Sequence, residues 1–125
     1  MDFAVISTTG APEAVGAYSQ AVKAGGLVFC SGQIPLAPSG ELVTGSIEVE
    51  TKQCLDNLTA VLGEAGSGFE RIVKVTAFLT DMSDFPEFNE AYSTYFGERP
   101  PARATVGVAA LPKGARVEVE CIALA

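Results

Sequence analysis

Arg103 stands in the run PPARATVGV, residues 100 to 108, in a chain with eight Lys and Arg against fifteen Asp and Glu. The run is otherwise small and β-branched, so it reads as a strand, and an arginine at its head needs a chemical reason. A guanidinium is a planar fork of donors that grips a carboxylate bidentately, which lysine cannot imitate. Further along, Glu118 and Glu120 lie in RVEVECIAL, residues 116 to 124. A carboxylate near such a fork can take a proton from water and pass one to a leaving group. The competing use of the same charges is a solvated face with a surface ion pair worth about 0–1 kcal/mol.

Other chemistries lack their residues. Histidine is absent, which removes Ser-His-Asp and Cys-His machinery and every histidine-containing metal site. CxxC, GxGxxG and GxxxxGK[ST] are absent too, so zinc, dinucleotides and ATP have no sequence support and no cofactor is expected. A net charge of −7 argues against nucleic acid as a partner. No apolar run approaches the ~20 residues of a membrane span, and the opening MDFAVISTTG has neither a basic n-region nor an apolar h-region. A soluble protein without a membrane partner is expected. Cys30, Cys54 and Cys121 are odd in number, widely spaced and set in apolar stretches. They read as core thiols in a reducing compartment, with the cytoplasm as the default.

The elements that must position Arg103 and Glu118 follow from period and turn chemistry. A length of 125 residues fits one domain with one sizeable core. Residues 18 to 32 read as two short strands around Gly25-Gly26, and residues 34 to 45 as a loop. Apolar positions 47, 51, 54, 55, 58, 61, 62 and 65, with Thr51 counted through its methyl, mark one face of a helix that Ser46 caps and Gly66 closes. RIVKVTAFLT, residues 71 to 80, suits a central strand. Asp84 and Glu87 resemble a capping box for a second helix carrying Phe85, Phe88, Tyr92, Tyr95 and Phe96 up to Gly97, and Pro100-Pro101 forbids its continuation. Residues 103 to 108 and 116 to 124 read as a paired hairpin around the loop ALPKG. Lys113 and Arg116 look like rim charges. The order ββαβαββ predicts an α+β two-layer sandwich, with both helices on one face of a mixed sheet.

In that hairpin, alternation turns Val106, Val117 and Val119 toward the helices and places Arg103, Thr105, Glu118 and Glu120 together on the uncovered face. Two helices cover one side of a sheet. The other side is then wet, or it meets another chain at a symmetric interface with a site in it.

GAYSQAV (16 to 22), FCSGQIPL (29 to 36), DFPEFNEAYSTYF (84 to 96) and PPARATVGVAALPKGARVEVECIAL (100 to 124), with their spacing, resemble the RidA family, also called YjgF/YER057c/UK114, over essentially the whole chain from about residue 10. The resemblance implies a single RidA-like domain over residues 1–125, with a chorismate-mutase-like fold of the bacillus type. It also implies a homotrimer whose sheets form an inner barrel, with ligand sites in the clefts between subunits. The implied activity is cofactor-independent hydrolysis of reactive 2-imino acids to 2-oxo acids and ammonia. By the same resemblance Arg103 grips the substrate carboxylate, Glu118 handles the proton and the attacking water, and Tyr18, Gly32 and Asn89 line the substrate site. The position of Thr105 is often cysteine in the family, and a backbone contribution there survives the exchange where a thiol role does not. Ala17 replaces the proline of the family's GPYSQ motif, which loosens the φ preceding Tyr18. Two other readings stand beside the enzyme. One is a module that binds small carboxylates without turning them over; the other is the ribonuclease or chaperone-like role also attributed to the family, of which the acidic balance counts against the nuclease.

Overall fold

A computed structural model describes residues 2–125. Six strands and two helices appear in the order β1 (Ala4–Ile6), β2 (Ala21–Ala24), β3 (Leu27–Gln33), α1 (Ile47–Glu64), β4 (Ile72–Leu79), α2 (Phe85–Ser93), β5 (Ala102–Gly107) and β6 (Val117–Leu124). The strands form one sheet in the order β1-β2-β3-β6-β4-β5, antiparallel except for the parallel pair β4–β5. The α+β architecture, with both helices against a mixed sheet, is the one expected.

The local signals act where the spacing places them. Gly25 and Gly26 have φ of 59° and 80°, the two positive values that a tight turn needs to join β2 to β3. Ser46 accepts a hydrogen bond from the Val49 amide at 3.1 Å and caps α1. At the far end Gly66 adopts φ 80° and the Ser67 amide reaches back to the Leu62 carbonyl at 2.8 Å, closing the helix with a left-handed residue. All the expected apolar positions of α1 are buried, and with Val28, Val75, Ala77, Leu79, Val117, Val119 and Cys121 they form the core between helices and sheet. Cys30, Cys54 and Cys121 are free and buried. Burial pushes the Cys54 thiol well up, and the Cys121 thiol is pushed up first by its hydrogen bond with Cys30 and then by burial. Among the described residues no helix is long and apolar enough to cross a membrane.

Four expectations are corrected. The expected order ββαβαββ lacks β1, whose three residues are too few to leave a period. Asp84 makes no side-chain cap; Glu87 instead accepts from the Glu48 amide at 3.1 Å and ties α2 to the start of α1. Helix α2 ends at Ser93, and Tyr95 and Phe96 follow in turns that stack on Phe69. Most consequential, residues 103 to 108 and 116 to 124 do not form a hairpin. β4, α2 and β5 make a parallel crossover, and β6 passes beyond β4 to lie between it and β3. The physical reason is burial. One whole face of β6 is excluded from water, as a strand flanked on both sides requires, whereas β5 is exposed along most of its length and suits an edge.

Candidate functional site

The corrected topology changes the face on which Arg103 lies. In the β4–β5 ladder Arg103 pairs with Val75 and Thr105 with Ala77, while in the β4–β6 ladder Val75 pairs with Cys121 and Phe78 with Glu118. Directly paired residues share a face, so Arg103 and Thr105 sit on the helix side. Glu118, Glu120 and Val106 lie on the other side. The expectation that Arg103, Thr105, Glu118 and Glu120 share the uncovered face is therefore wrong for a single chain. Alternation along each strand holds, but β6 pairs with β3 and β4 while β5 pairs with β4, so the two strands do not share the expected hairpin register.

Helix α2 explains why a guanidinium tolerates that side. Phe85, Asn89 and Tyr92 recur at helical spacing on one face. Asn89 Oδ1 accepts from Arg103 Nη1 at 2.7 Å, and the guanidinium carbon lies 4.8 Å from the centre of the Tyr92 ring and 5.5 Å from that of Phe85. Such rings attract a cation through their π faces. Arg103 remains exposed, so the outer edge of its fork is open to an incoming anion. Burial raises the Tyr92 hydroxyl above its ordinary pKa and Arg103 opposes this. The hydroxyls of Tyr92 and Thr105 are both buried without a hydrogen-bond partner. The Thr105 side chain therefore presents no polar atom at the surface, which leaves backbone on the open edge of β5 as the contact this position can offer.

A second cluster forms on the opposite face. Glu118 is half-buried beside Gly32, and its carboxyl is held above the ordinary range, first by burial and then by the charge of Glu120. Tyr18 is exposed, its hydroxyl accepting only a long contact from the Val15 amide at 3.4 Å. The chain beside it is fastened to the end of β3: Ser31 Oγ donates to the Ser19 carbonyl at 2.6 Å and the Ser31 amide to the Gln20 carbonyl at 3.0 Å. Sequence reasoning missed Gln20. Its buried amide accepts from the Thr8 amide at 2.7 Å and donates to the Pro12 carbonyl at 2.7 Å, which holds the segment leading to Tyr18. A lone glutamine in GAYSQAV carries no signal of that role, whereas the spacing of Phe85, Asn89 and Tyr92 was a signal available in the sequence.

Two groups of candidates thus lie on opposite faces of one sheet, Arg103 with Asn89 on the helix side and Gly32 with Glu118 on the other, while Tyr18 lies in the segment next to Ser19, which Ser31 fastens to the end of β3. A family profile described as endoribonuclease L-PSP matches residues 8–125. The chain belongs to the RidA family. The Mus musculus 2-iminobutanoate/2-iminopropanoate deaminase is 53% identical over 121 residues, covering 96% of this chain and 90% of that protein. Among solved structures, yeast Mmf1 superposes with a TM-score of 0.96 at 44% identity, covering 98% of each chain. The RidA-family fold also recurs in E. coli TdcF with bound serine, with a TM-score of 0.93 at 38% identity over 98% of each chain. The resemblance carried by the four sequence motifs is thereby established, and the fold expected from it is the one observed.

Proposed function

We propose that the chain hydrolyses 2-imino acids such as 2-iminopropanoate and 2-iminobutanoate to 2-oxo acids and ammonia, without a cofactor. The observation that carries this reading is Arg103, fixed by Asn89 and two aromatic rings with its free edge outward, in a chain half identical to a named deaminase of these imines.

The reaction adds water across the C=N bond and then expels ammonia, leaving C=O. Arg103 binds the carboxylate bidentately and orients the adjacent imino carbon. Glu118 takes a proton from water as the water oxygen bonds to that carbon and passes it to the imino nitrogen, giving a carbinolamine. It then takes the hydroxyl proton as C=O forms and delivers it to the nitrogen as the C–N bond breaks, so both hydrogens of the water leave in ammonia. A carboxyl held above its ordinary range by burial suits both transfers better than a fully solvated one.

Because Arg103 and Glu118 lie on opposite faces, one copy supplies the anion grip and a neighbouring copy the proton relay. The uncovered face is suited to such contact. A row of paired residues, Val5, Val22, Phe29 and Ile122, crosses it from β1 to β6, with Phe78 and Val106 on β4 and β5, and Phe29 and Val106 are each 40% exposed. Contiguous apolar surface of this kind marks an interface, and closure as a cytoplasmic homotrimer is our reading.

The activity is tested by generating the imine in situ from threonine or serine with a dehydratase and following oxo-acid release. Acceleration lost in Arg103→Ala supports the proposal, and full activity in that variant overturns it. The shared site is tested by mixing Arg103→Ala with Glu118→Ala under conditions of subunit exchange. Recovered activity shows that two copies complete one site, and no recovery despite verified exchange argues against it. A second reading, a sensor of small carboxylates, draws on the serine bound to TdcF. It requires Arg103-dependent binding of 2-oxobutanoate with no turnover.

A further inference from the structure

The neighbourhood of Gly32 is unlike that of an ordinary strand glycine. The β3–β6 ladder pairs Cys30 with Cys121 and then Gln33 with Val119, so Ser31 and Gly32 together oppose Glu120 alone. This extra residue is a β-bulge. Without it Gly32 would pair with Val119 and face the core; with it Gln33 takes the inward place, 7% exposed, and Gly32 is left beside Glu118.

A side chain at Gly32 would collide with one group. A Cβ built there lies 2.8 Å from Glu118 Cδ and 3.1 Å from Cγ, and closer still to Oε2. The backbone of Gly32 is outside the left-handed region, so its conformation does not demand glycine. The requirement is space, and the Glu118 carboxyl fills it. Among the described residues that carboxyl makes no hydrogen bond, so packing over Gly32 is what locates it.

We infer that Gly32 is a positioning residue: with the bulge it forms a seat that sets where the Glu118 carboxyl stands relative to a substrate gripped by Arg103 of a neighbouring copy. This rests on the role proposed above for Glu118. It differs from a glycine that merely admits substrate to backbone amides, because the space above it is already taken by Glu118. A methyl at this position meets the outer atoms of the Glu118 side chain rather than backbone, so Gly32→Ala is expected to fold. It moves the carboxyl by about 1 Å to restore ordinary contact distances, and a displacement of that size at a reacting centre can cost up to roughly 100-fold in rate.

The experiment compares Gly32→Ala, Glu118→Gln and the double variant in oxo-acid release from 2-iminobutanoate, together with an NMR titration of the Glu118 carboxyl carbon. The expected result is a kcat roughly 10- to 100-fold lower in Gly32→Ala, with KM little changed and Tm within a few degrees of the parent. The double variant is expected to be no slower than Glu118→Gln, and the Glu118 titration to shift in Gly32→Ala. A glycine needed for folding alone, or for substrate contact, would multiply its loss with that of Glu118→Gln, and this overturns the inference. An unchanged Glu118 titration in Gly32→Ala overturns the seat whatever the kinetics. Wild-type kcat in Glu118→Gln overturns the proposed role of Glu118, and with it the catalytic purpose of the seat, even where the titration moves.

Discussion

Asn89, on a helix, and Arg103, on an edge strand, are joined by a hydrogen bond of 2.7 Å that fixes the guanidinium while leaving its outer edge open. The helix presents an amide where a continuous apolar stripe would have shut the cation out. A fork held in place before binding loses less entropy on meeting a carboxylate than one that must be ordered by it.

Removing that tether acts on binding. In Asn89→Ala the charge-assisted bond is lost at an exposed site, so about 1 kcal/mol of preorganisation goes with it. The expected outcome is a KM roughly 5- to 10-fold higher with kcat changed less, read from oxo-acid release across a range of imine concentrations. An unaltered KM shows that the tether does not order the fork.

Tyr92 separates the ring from its hydroxyl. Tyr92→Phe keeps the face beneath Arg103 and deletes a buried hydroxyl that has no partner. Stability is expected to be unchanged or slightly higher, with KM unchanged. Tyr92→Leu removes the π face and part of the stack with Phe88 and Phe96. A loss of about 2 kcal/mol in denaturant unfolding and a raised KM are expected. Equal kinetics in the two variants would show that the ring serves packing alone.

Glu118 sets two pH dependences. Its carboxyl titrates above the ordinary range through burial first and Glu120 second. In the folded chain it holds its proton to higher pH than in the unfolded one. Its contribution to stability is therefore complete below the unfolded value of about 4.3 and is lost as pH rises through the folded value. Glu118→Gln is expected to be more stable than the parent at neutral pH, with the difference closing below about pH 4. Glu120→Gln removes the second cause, so the acid limb of kcat moves to lower pH. A limb that stays in place in Glu120→Gln means that another group titrates there.

What the sequence made legible was local. The face of α1 repeats over eighteen residues, long enough for a period to be unmistakable, and Gly25-Gly26 demands its turn whatever surrounds it. Strand pairing is not local. Nothing within PPARATVGV or RVEVECIAL says that β6 crosses β4, and that one crossing moved Arg103 to the other side of the sheet from Glu118. The individual candidates could be named from their motifs, but their grouping depended on topology and came out wrong for one chain. Buried polar residues were the other blind spot. Glu50 and Asn57 lie in α1 at 3% and 1% exposure, and a period built on apolar positions assigns such residues to water. Asn57 instead donates to the Leu36 carbonyl at 2.8 Å and holds the loop after β3.

Glu50 carries the last prediction. Its partner is Arg116, read from the sequence as a rim charge, which in fact donates through Nε to Glu50 Oε2 at 3.1 Å, through Nη2 to the same carboxylate and to the Gly45 carbonyl. The Glu50 side chain is 4% exposed and the Arg116 side chain 42%. Removing Arg116 leaves a charge that burial penalises, the costly way to break an ion pair. Water reaching the half-exposed arginine side keeps the loss below the ~3–5 kcal/mol of a fully enclosed pair, and Arg116→Ala is expected to cost about 2 kcal/mol in denaturant unfolding at neutral pH. Adding Glu50→Gln removes the stranded charge and should recover roughly half of that cost, because an amide is cheaper to bury than an unpaired carboxylate. If the second substitution instead deepens the loss, the stabilising agent is the packing of the Glu50 side chain rather than the pairing of its charge.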